Sequence, residues 1–313
     1  MKLLLPNSLP LELPAVDGVE YISYDIERPI PADHRDAEAI VAWGNSDAQL
    51  HDAAAQLTGV RWVQTLAAGP DQAVNAGFAA SAIITSGRSL HNVTVAEHAL
   101  ALTLAAARSL HTLVRAQLGH RWAAELGGRQ PAHDPNRFTT LRDAHVVVWG
   151  FGSIAQTLAP LLSSLGARVT GVARSAGERH GYPVVAEADI RELLPTADVL
   201  VMILPGTPAT TRILDAEKLA TLPAHAWLVN VGRGVTVDEA ALAAALRAGQ
   251  LGGAALDVTE IEPLPVASEL WDLANVIITP HSAGGRPIGA AQLITENLRA
   301  LLDGRTLSNV VAR

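Results

Sequence analysis

Short apolar runs rich in Val, Ile, Leu and Ala recur along this chain, separated by segments in which apolar residues return every three or four positions. The runs read as strands buried on both faces and the spaced segments as amphipathic helices. The sharpest case is residues 145–175, HVVVWGFGSIAQTLAPLLSSLGARVTGVARS. Residues 146–149 predict a strand and glycines follow at once. Residues 153–165 have helical spacing closed by Gly166, with Pro160 predicting a kink, and 169–172 begin a second strand. That is a strand–helix–strand unit of the kind that makes a right-handed crossover. The rhythm repeats with predicted strands at 199–204, 227–231, 253–257 and 276–279. Helices are predicted to include 190–194 and to span 238–248, the latter closed by Gly249. Parallel strands alternating with helices predict an α/β chain with a doubly wound parallel sheet.

Residues 1–93 show the same rhythm, with strands predicted at 3–5, 39–43, 62–65 and 83–85. Residues 94–118 predict one long apolar helix, and 288–302 a last helix. A chain that leaves one α/β region, completes a second and returns would have two lobes with a cleft between them.

Composition narrows the partners. A length of 313 residues suits about two domains, and 49% hydrophobic against 17% charged residues excludes global disorder. With 23 Lys and Arg against 31 Asp and Glu, the net charge of −8 argues against nucleic acid or a membrane surface as partner, since both are anionic. The absence of cysteine excludes disulfides, thiolate metal sites and cysteine nucleophiles. The N-terminal Leu run is cut by Pro6, too short for a signal-peptide core, and stretches such as 100–107 fall far below the roughly 18 residues of a membrane span. A cytoplasmic protein is expected. The 11 histidines include no H-E-x-x-H motif and no cluster at metal-ligand spacing, so no metal is expected. His98, His111 and His120, on or just past the long helix, are expected to be structural or interface residues.

Gly150-Phe151-Gly152-Ser153-Ile154-Ala155 matches G-x-G-x-x-A between a buried strand and a helix. The first glycine permits the tight turn, the second lets the backbone approach a pyrophosphate, and the small third residue lets helix and strand pack. The helix N-terminus then faces the anion with its free N–H groups, and Ser153 is expected to cap the helix or donate to a phosphate. An NAD site has a carboxylate about 20 residues further on. Here the chain reads Val172-Ala173-Arg174-Ser175, with no carboxylate before Glu178. Arg174 and Ser175 suit a 2′-phosphate, with Arg179 a further candidate, so NADP is preferred and NAD remains possible.

Three later segments each end a predicted strand with an unusual polar group: Asn230-Val231-Gly232-Arg233-Gly234, the acidic proline-rich loop from Asp257 through Glu262 to Pro265, and Thr279-Pro280-His281. Ligands of open α/β sheets bind beyond the carboxyl ends of the strands, so Arg233, Glu262 and His281 are predicted to converge beside a nicotinamide.

These segments together resemble the D-isomer-specific 2-hydroxyacid dehydrogenase family. The likeness extends over nearly the whole chain. It includes ADVLVMILPGTPATTR at 197–212, LVNVGRGVTVD at 228–238, the acid loop, the histidine turn at 279–285, RWVQTLAAGPD at 61–71 and VAEH at 95–98. The resemblance implies a Rossmann-type dinucleotide-binding domain, 94–282, and a smaller flavodoxin-like substrate domain, 1–93 with 283–313. It implies His281 as general acid/base, Glu262 as the residue that orients its ring and favours its protonated form, and Arg233 as the binder of the substrate carboxylate. By the same likeness, backbone N–H groups at Ala68 and Gly69 clamp that carboxylate and Pro205 lines the adenine site. Gly150, Gly152, Ser153, Ile154 and Asp257 complete the cofactor set. Asn45, just after a predicted strand, is a further substrate-contact candidate, with a plain turn role as the alternative.

Formate dehydrogenases of the superfamily carry glutamine where Glu262 stands, which disfavours formate. The chain ends soon after His281, so the C-terminal sensor domain of regulated phosphoglycerate dehydrogenases is not expected. The Val-Ala-Arg-Ser stretch resembles the NADPH-dependent glyoxylate/hydroxypyruvate reductases. The expected activity is reduction of glyoxylate or hydroxypyruvate to the D-2-hydroxy acid with NADPH. The alternatives are an NAD-dependent D-2-hydroxyacid or phosphoglycerate dehydrogenase, and a non-catalytic NAD(P)H-sensing protein like the family's corepressors. A homodimer built on the apolar helix is also expected from the family.

Overall fold

Each predicted apolar run holds a strand of one of two sheets, and those predicted at 39–43, 199–204, 227–231, 253–257 and 276–279 end one or two residues earlier than expected. The computed structural model describes residues 1–131 and 134–312; positions 132–133 and 313, which fall inside the expected domain spans, lie outside the described residues. The chain divides into two compact units, Met1–His91 with the segment from Arg286 onward, and Asn92–Gly285.

The first unit holds a five-stranded parallel sheet of β1 (Lys2–Pro6), β2 (Glu20–Tyr24), β3 (Ala39–Ala42), β4 (Trp62–Thr65) and β5 (Ile83–Thr85) in the order β2-β1-β3-β4-β5. This is the flavodoxin-like order. β3 and β4 are buried at every position. β3 is accordingly a continuous apolar run, whereas β4 carries a buried Gln64, whose Nε2 donates to Thr65 O at 2.8 Å. β2 lies at the sheet edge and mixes exposed with buried positions, so no apolar run marks it. Helices α1 (Asp47–Gln56) and α2 (Asp71–Asn75) follow β3 and β4. Ser46 caps α1, its Oγ accepting the Gln49 N–H at 3.1 Å.

The second unit opens with a departure from expectation. The segment 94–118 is not one helix but two, α3 (Asn92–Ala107) and α4 (Leu110–Leu118), with Ser109 between them at φ +50°. A left-handed residue ends a helix because the next N–H no longer reaches the carbonyl four residues back. Apolar spacing continues on both sides of the break, so periodicity does not record it.

The eight-stranded sheet then follows: β6 (His145–Trp149), α5 (Ser153–Ser164), β7 (Arg168–Ala173), β8 (Gly177–Arg179), β9 (Tyr182–Ala186), α6 (Ile190–Leu193), β10 (Val199–Met202), α7 (Ala216–Leu219), β11 (Trp227–Asn230), α8 (Glu239–Arg247), β12 (Gly253–Leu256) and β13 (Val276–Ile278). Its order is β13-β12-β11-β10-β6-β7-β9-β8, parallel except for the β8–β9 hairpin. This is a Rossmann-type doubly wound sheet whose strand order reverses between β6 and β10. Alternate residues of β6 feed opposite faces. Val146 and Val148 join a core with Leu158 and Leu162 of α5 and Ala99 of α3. Val147 and Trp149 join another with Leu200, Leu228 and Leu242. Burying each of these valine and leucine side chains contributes roughly 1.5–3 kcal/mol. Pro160 sits inside α5 on its exposed side, and the helix stays continuous through it.

The C-terminal helix α9 (Ala290–Leu302) belongs to the first unit, where Ile294 and Leu298 are buried with Leu3, Val41 and Trp62. Asn297 Nδ2 donates to Gln64 Oε1 at 2.9 Å, and its Oδ1 accepts the Ser308 N–H at 2.7 Å, so the returning segment completes a buried polar network. Among the described residues no helix is long and apolar enough to cross a membrane.

Candidate active site

All the polar groups expected to work together in the second unit leave the carboxyl ends of its parallel strands. β6 runs into the glycine loop, whose Gly150 and Phe151 N–H groups both donate to Val172 O, at 2.9 and 3.0 Å. Gly150 has φ +100°, and a Cβ there would come within 2.6 Å of Ile203 O, so no other residue fits this approach of β6 to β10. Gly152 is the N-cap of α5, and a Cβ built on it meets nothing within 4 Å. No side chain caps α5, and its first-turn N–H groups at Ser153 and Ile154 have no intrahelical acceptor. Ser153 is therefore not the cap that the sequence suggested. It is the first helical residue, and its hydroxyl donates to Asn92 Oδ1 at 3.0 Å. The result is an open, donor-lined cradle at the point where the strand order reverses.

β11 leads into the loop bearing Arg233. Asn230 folds this loop back on itself: its Oδ1 accepts the Gly232 N–H at 3.0 Å and its Nδ2 donates to Arg233 O at 3.2 Å. Arg233 is half-buried, and Nη1 donates to Gly232 O at 2.8 Å. Gly234 lies so close to Thr259 that a Cβ would overlap the Thr259 carbonyl. A glycine here is what lets the arginine loop rest on the acid loop that follows β12.

Glu262 and His281 form the centre of the site. His281 Nδ1 lies 2.7 Å from Glu262 Oε2, and Glu262 Oε1 accepts the Thr259 N–H at 3.1 Å. A carboxylate accepts only, so Nδ1 carries the hydrogen and Nε2 is the nitrogen left to exchange a proton. Burial alone would raise the Glu262 pKa. The hydrogen bond and charge of His281, the Thr259 N–H and the charge of Arg233 outweigh it and hold the carboxyl below its ordinary range. Arg233 thus acts electrostatically on the same carboxylate that orients His281. His281 itself stands at φ +52°, a backbone conformation that a non-glycine residue holds only when its surroundings impose it.

Asp257 does the imposing, and this changes the role expected for it. Rather than presenting its carboxylate to a cofactor, it is 2% exposed. Oδ1 accepts the Thr279 hydroxyl at 2.6 Å and the Ser282 N–H at 2.9 Å, Oδ2 accepts the Ala283 N–H at 3.1 Å, and the backbone carbonyl accepts the His281 N–H at 2.8 Å. Asn45 takes the turn role, the alternative of its two readings. It is buried in the first unit, its Nδ2 donating to Gln49 Oε1 at 2.6 Å and to Tyr24 Oη at 2.9 Å while its Oδ1 accepts the Trp43 N–H at 2.9 Å. With the amide committed, Asn45 holds the Trp43–Gly44 turn instead of offering a donor to substrate. Ala68 and Gly69 follow β4, Ala68 exposed and Gly69 half-buried, and Pro205 follows β10 and is exposed.

Arg174 and Ser175 follow β7 and are both exposed. Arg179, on the β8 strand that the sequence reading did not predict, donates from Nη1 to Phe151 O at 2.9 Å and from Nη2 to Ser175 Oγ at 3.4 Å. It ties the end of β7 to the glycine loop. The stretch 177–179 is too short and polar for its pattern to announce a strand.

The family model "D-isomer specific 2-hydroxyacid dehydrogenase, NAD binding domain" matches residues 100–283, more than half of the chain. The chain belongs to the D-isomer-specific 2-hydroxyacid dehydrogenases. It is 34% identical over 223 residues to a protein named glyoxylate/hydroxypyruvate reductase B from Erwinia tasmaniensis, covering 70% of this chain and 68% of that one. It is 31% identical over 238 residues to a D-3-phosphoglycerate dehydrogenase from Methanocaldococcus jannaschii, covering 73% of this chain and 43% of that longer protein. A solved D-isomer-specific 2-hydroxyacid dehydrogenase from Xanthobacter autotrophicus Py2, in complex with NADPH and MES, superposes with a TM-score of 0.79 at 30% identity over 99% of this chain and 98% of that one. As a member of this family the protein is an oxidoreductase acting on CH–OH groups with a nicotinamide cofactor. The cradle fits such a cofactor on its own geometry: Gly152 leaves open the space a side chain would fill, and the uncapped N-terminus of α5 offers donors to a pyrophosphate.

Proposed function

We propose that the protein reduces a small 2-oxo acid, glyoxylate or hydroxypyruvate, to the D-2-hydroxy acid with NADPH. The observation that carries the catalytic reading is the Glu262–His281 pair at 2.7 Å, within the field of Arg233 and on the same side of the sheet as the glycine cradle. The nicotinamide, when bound, supplies the hydride that reaches the carbonyl carbon. His281 delivers a proton from Nε2 to the carbonyl oxygen in reduction and removes it in oxidation. Glu262 keeps Nδ1 protonated and the ring turned, and stabilises positive charge on the imidazole. Arg233 binds the substrate carboxylate and polarises the carbonyl, as a guanidinium fork suits. Ala68 and Gly69 keep the carboxylate-binding role that the family resemblance implies.

The NADPH preference rests on the end of β7. Arg174 and Ser175 are exposed where an NAD-preferring site has a carboxylate, and Arg179 braces Ser175 against the glycine loop. The small-acid reading is supported by the likeness to the Erwinia reductase and by the absence of basic residues at 67–71, where a phosphorylated substrate would want them. We also propose a cytoplasmic location and a homodimer, the homodimer supported by the exposed apolar residues Leu110, Val114, Leu118 and Trp122 on and just after α4. Light scattering would read two copies if this holds and one if it does not.

The direct test is the near-ultraviolet absorbance of NADPH and NADH, in parallel, against glyoxylate, hydroxypyruvate, pyruvate and phosphohydroxypyruvate. Turnover favouring NADPH with the first two acids is expected. Turnover with NADH alone would overturn the cofactor assignment while leaving the dehydrogenase reading intact.

A further inference from the structure

We propose that His98 is a positioning residue for the catalytic turn, setting through Thr279 and Asp257 where His281 stands. The proposal rests on the reading of His281 as the general acid/base.

His98 lies on α3, a helix of 16 residues whose Ala96, Ala99 and Leu102 are buried in the core shared with α5 and the sheet. Its Nε2 is 3.0 Å from Thr279 Oγ1 and 3.2 Å from Asp257 Oδ1. Counting hydrogens assigns the tautomer. The Thr279 hydroxyl donates to Asp257 Oδ1 at 2.6 Å, so its single hydrogen is spent and only lone pairs face His98. Asp257 Oδ1 likewise only accepts. A nitrogen facing two acceptors must carry a hydrogen, so His98 is an Nε2–H donor shared between them.

The anchors of residues 279–283 converge on the same carboxylate. Asp257 accepts from the Thr279 hydroxyl, the Ser282 N–H and the Ala283 N–H, with Ser282 Oγ 3.3 Å from Oδ1, and its main-chain carbonyl accepts from His281. His281 is thereby held in the left-handed region. His98 is the group that pins both Thr279 and Asp257 from outside this turn, and it does so from a helix. The Nδ1 of His281 is fixed by Glu262, its backbone by Asp257, and the turn together with the Asp257 carboxylate is tied to α3 by His98. Loss of the His98 donor removes the anchor from α3 while the Ser282 and Ala283 N–H groups still hold Asp257, so the turn and its carboxylate can shift as one body, and the imidazole moves with them.

The test is steady-state and NMR comparison of the full-length H98L, H98Q and H98L/T279V variants, with H281A as reference. Gln places its side-chain NH2 near where Nε2–H stands and keeps the donor; Leu keeps the bulk and removes it. H98L should lose about 10–100-fold in kcat, as expected for a misplaced acid/base, with little change in cofactor Kd. H98Q should recover to within about threefold of wild type, and H98L/T279V should be no slower than H98L, because the two act as one unit. In histidine-labelled protein, the downfield Nδ1–H resonance of His281 should shift or broaden in H98L and return in H98Q. A normal kcat with an unchanged His281 resonance in H98L overturns the proposal, as does an H98Q variant as slow as H98L. If H281A keeps the wild-type rate, the reading of His281 itself fails, and the resonance alone then decides whether His98 positions it.

Discussion

The α-carbon of Gly234 rests against the carbonyl of Thr259, with no room for a Cβ between the loop that carries Arg233 and the loop that carries Glu262. Thr259 in turn gives its N–H to Glu262 Oε1 at 3.1 Å. One backbone contact therefore sets the spacing of the arginine and the carboxylate. Gly234→Ala should lower kcat/KM by about 100-fold through misplacement and cost roughly 1–3 kcal/mol in stability through overpacking. Kinetics and thermal unfolding read the two effects separately. Wild-type kinetics in this variant would mean that the reacting geometry does not depend on loop spacing.

His281 and Arg233 should fail in different ways. His281→Ala should lower kcat by about 100–10,000-fold with a modest change in KM, since proton transfer is what it removes. Arg233→Ala should raise the oxo-acid KM and lower kcat together, and Arg233→Lys should not restore it, because an ammonium cannot reproduce the guanidinium fork. A lysine variant close to wild type would reduce Arg233 to a simple positive charge.

The two arginines near the end of β7 separate cofactor choice from cofactor binding. Arg174 is exposed, whereas Arg179 also holds the Phe151 carbonyl of the glycine loop at 2.9 Å. Arg174→Ala should weaken NADPH by about tenfold or more, a charge-assisted phosphate contact, and leave NADH nearly unchanged. Arg179→Ala should weaken both. Calorimetric titration with each cofactor decides, and equal losses for both in Arg174→Ala would remove the 2′-phosphate assignment.

Stability should depend on pH through His145, which begins β6 far from the catalytic ends of the strands. Burial and, next, the charge of Arg168 push its pKa down, against smaller opposing effects of Thr196 and Asp198. The folded value lies below the unfolded value of about 6.5. Above that value neither state binds the proton and the stabilisation is complete. As pH falls, the unfolded chain protonates first, and stability drops until the folded value is passed. His145→Gln should flatten the dependence of Tm on pH between about 7 and 5. Some slope should remain, because burial, and then Arg115, lower His111 in the same direction. An unchanged slope would place the proton uptake elsewhere.

What the sequence determined by itself was whatever short-range pattern specifies. A strand buried on both faces is dominated by apolar residues, so β3, β6, β10 and β11 were legible, and with them the α/β class. The glycine loop was legible for a similar reason: the turn at Gly150 and the close approach to Ile203 O admit no side chain. The edge strand β2, the polar β8 and the break at Ser109 were not, because nothing in apolar spacing marks an edge or a single left-handed residue. Tertiary structure alone decided which polar side chains are spent on holding the fold. Asp257 reads as a ligand contact in the chain, yet Thr279, Ser282 and Ala283, more than 20 positions away, consume its hydrogen-bonding capacity. His98 reads as a structural or interface residue, but that it meets Thr279 across 181 positions is not written in local pattern. Hydrogen-bond partnership is settled by which segments the sheet brings together, and local pattern carries no record of it.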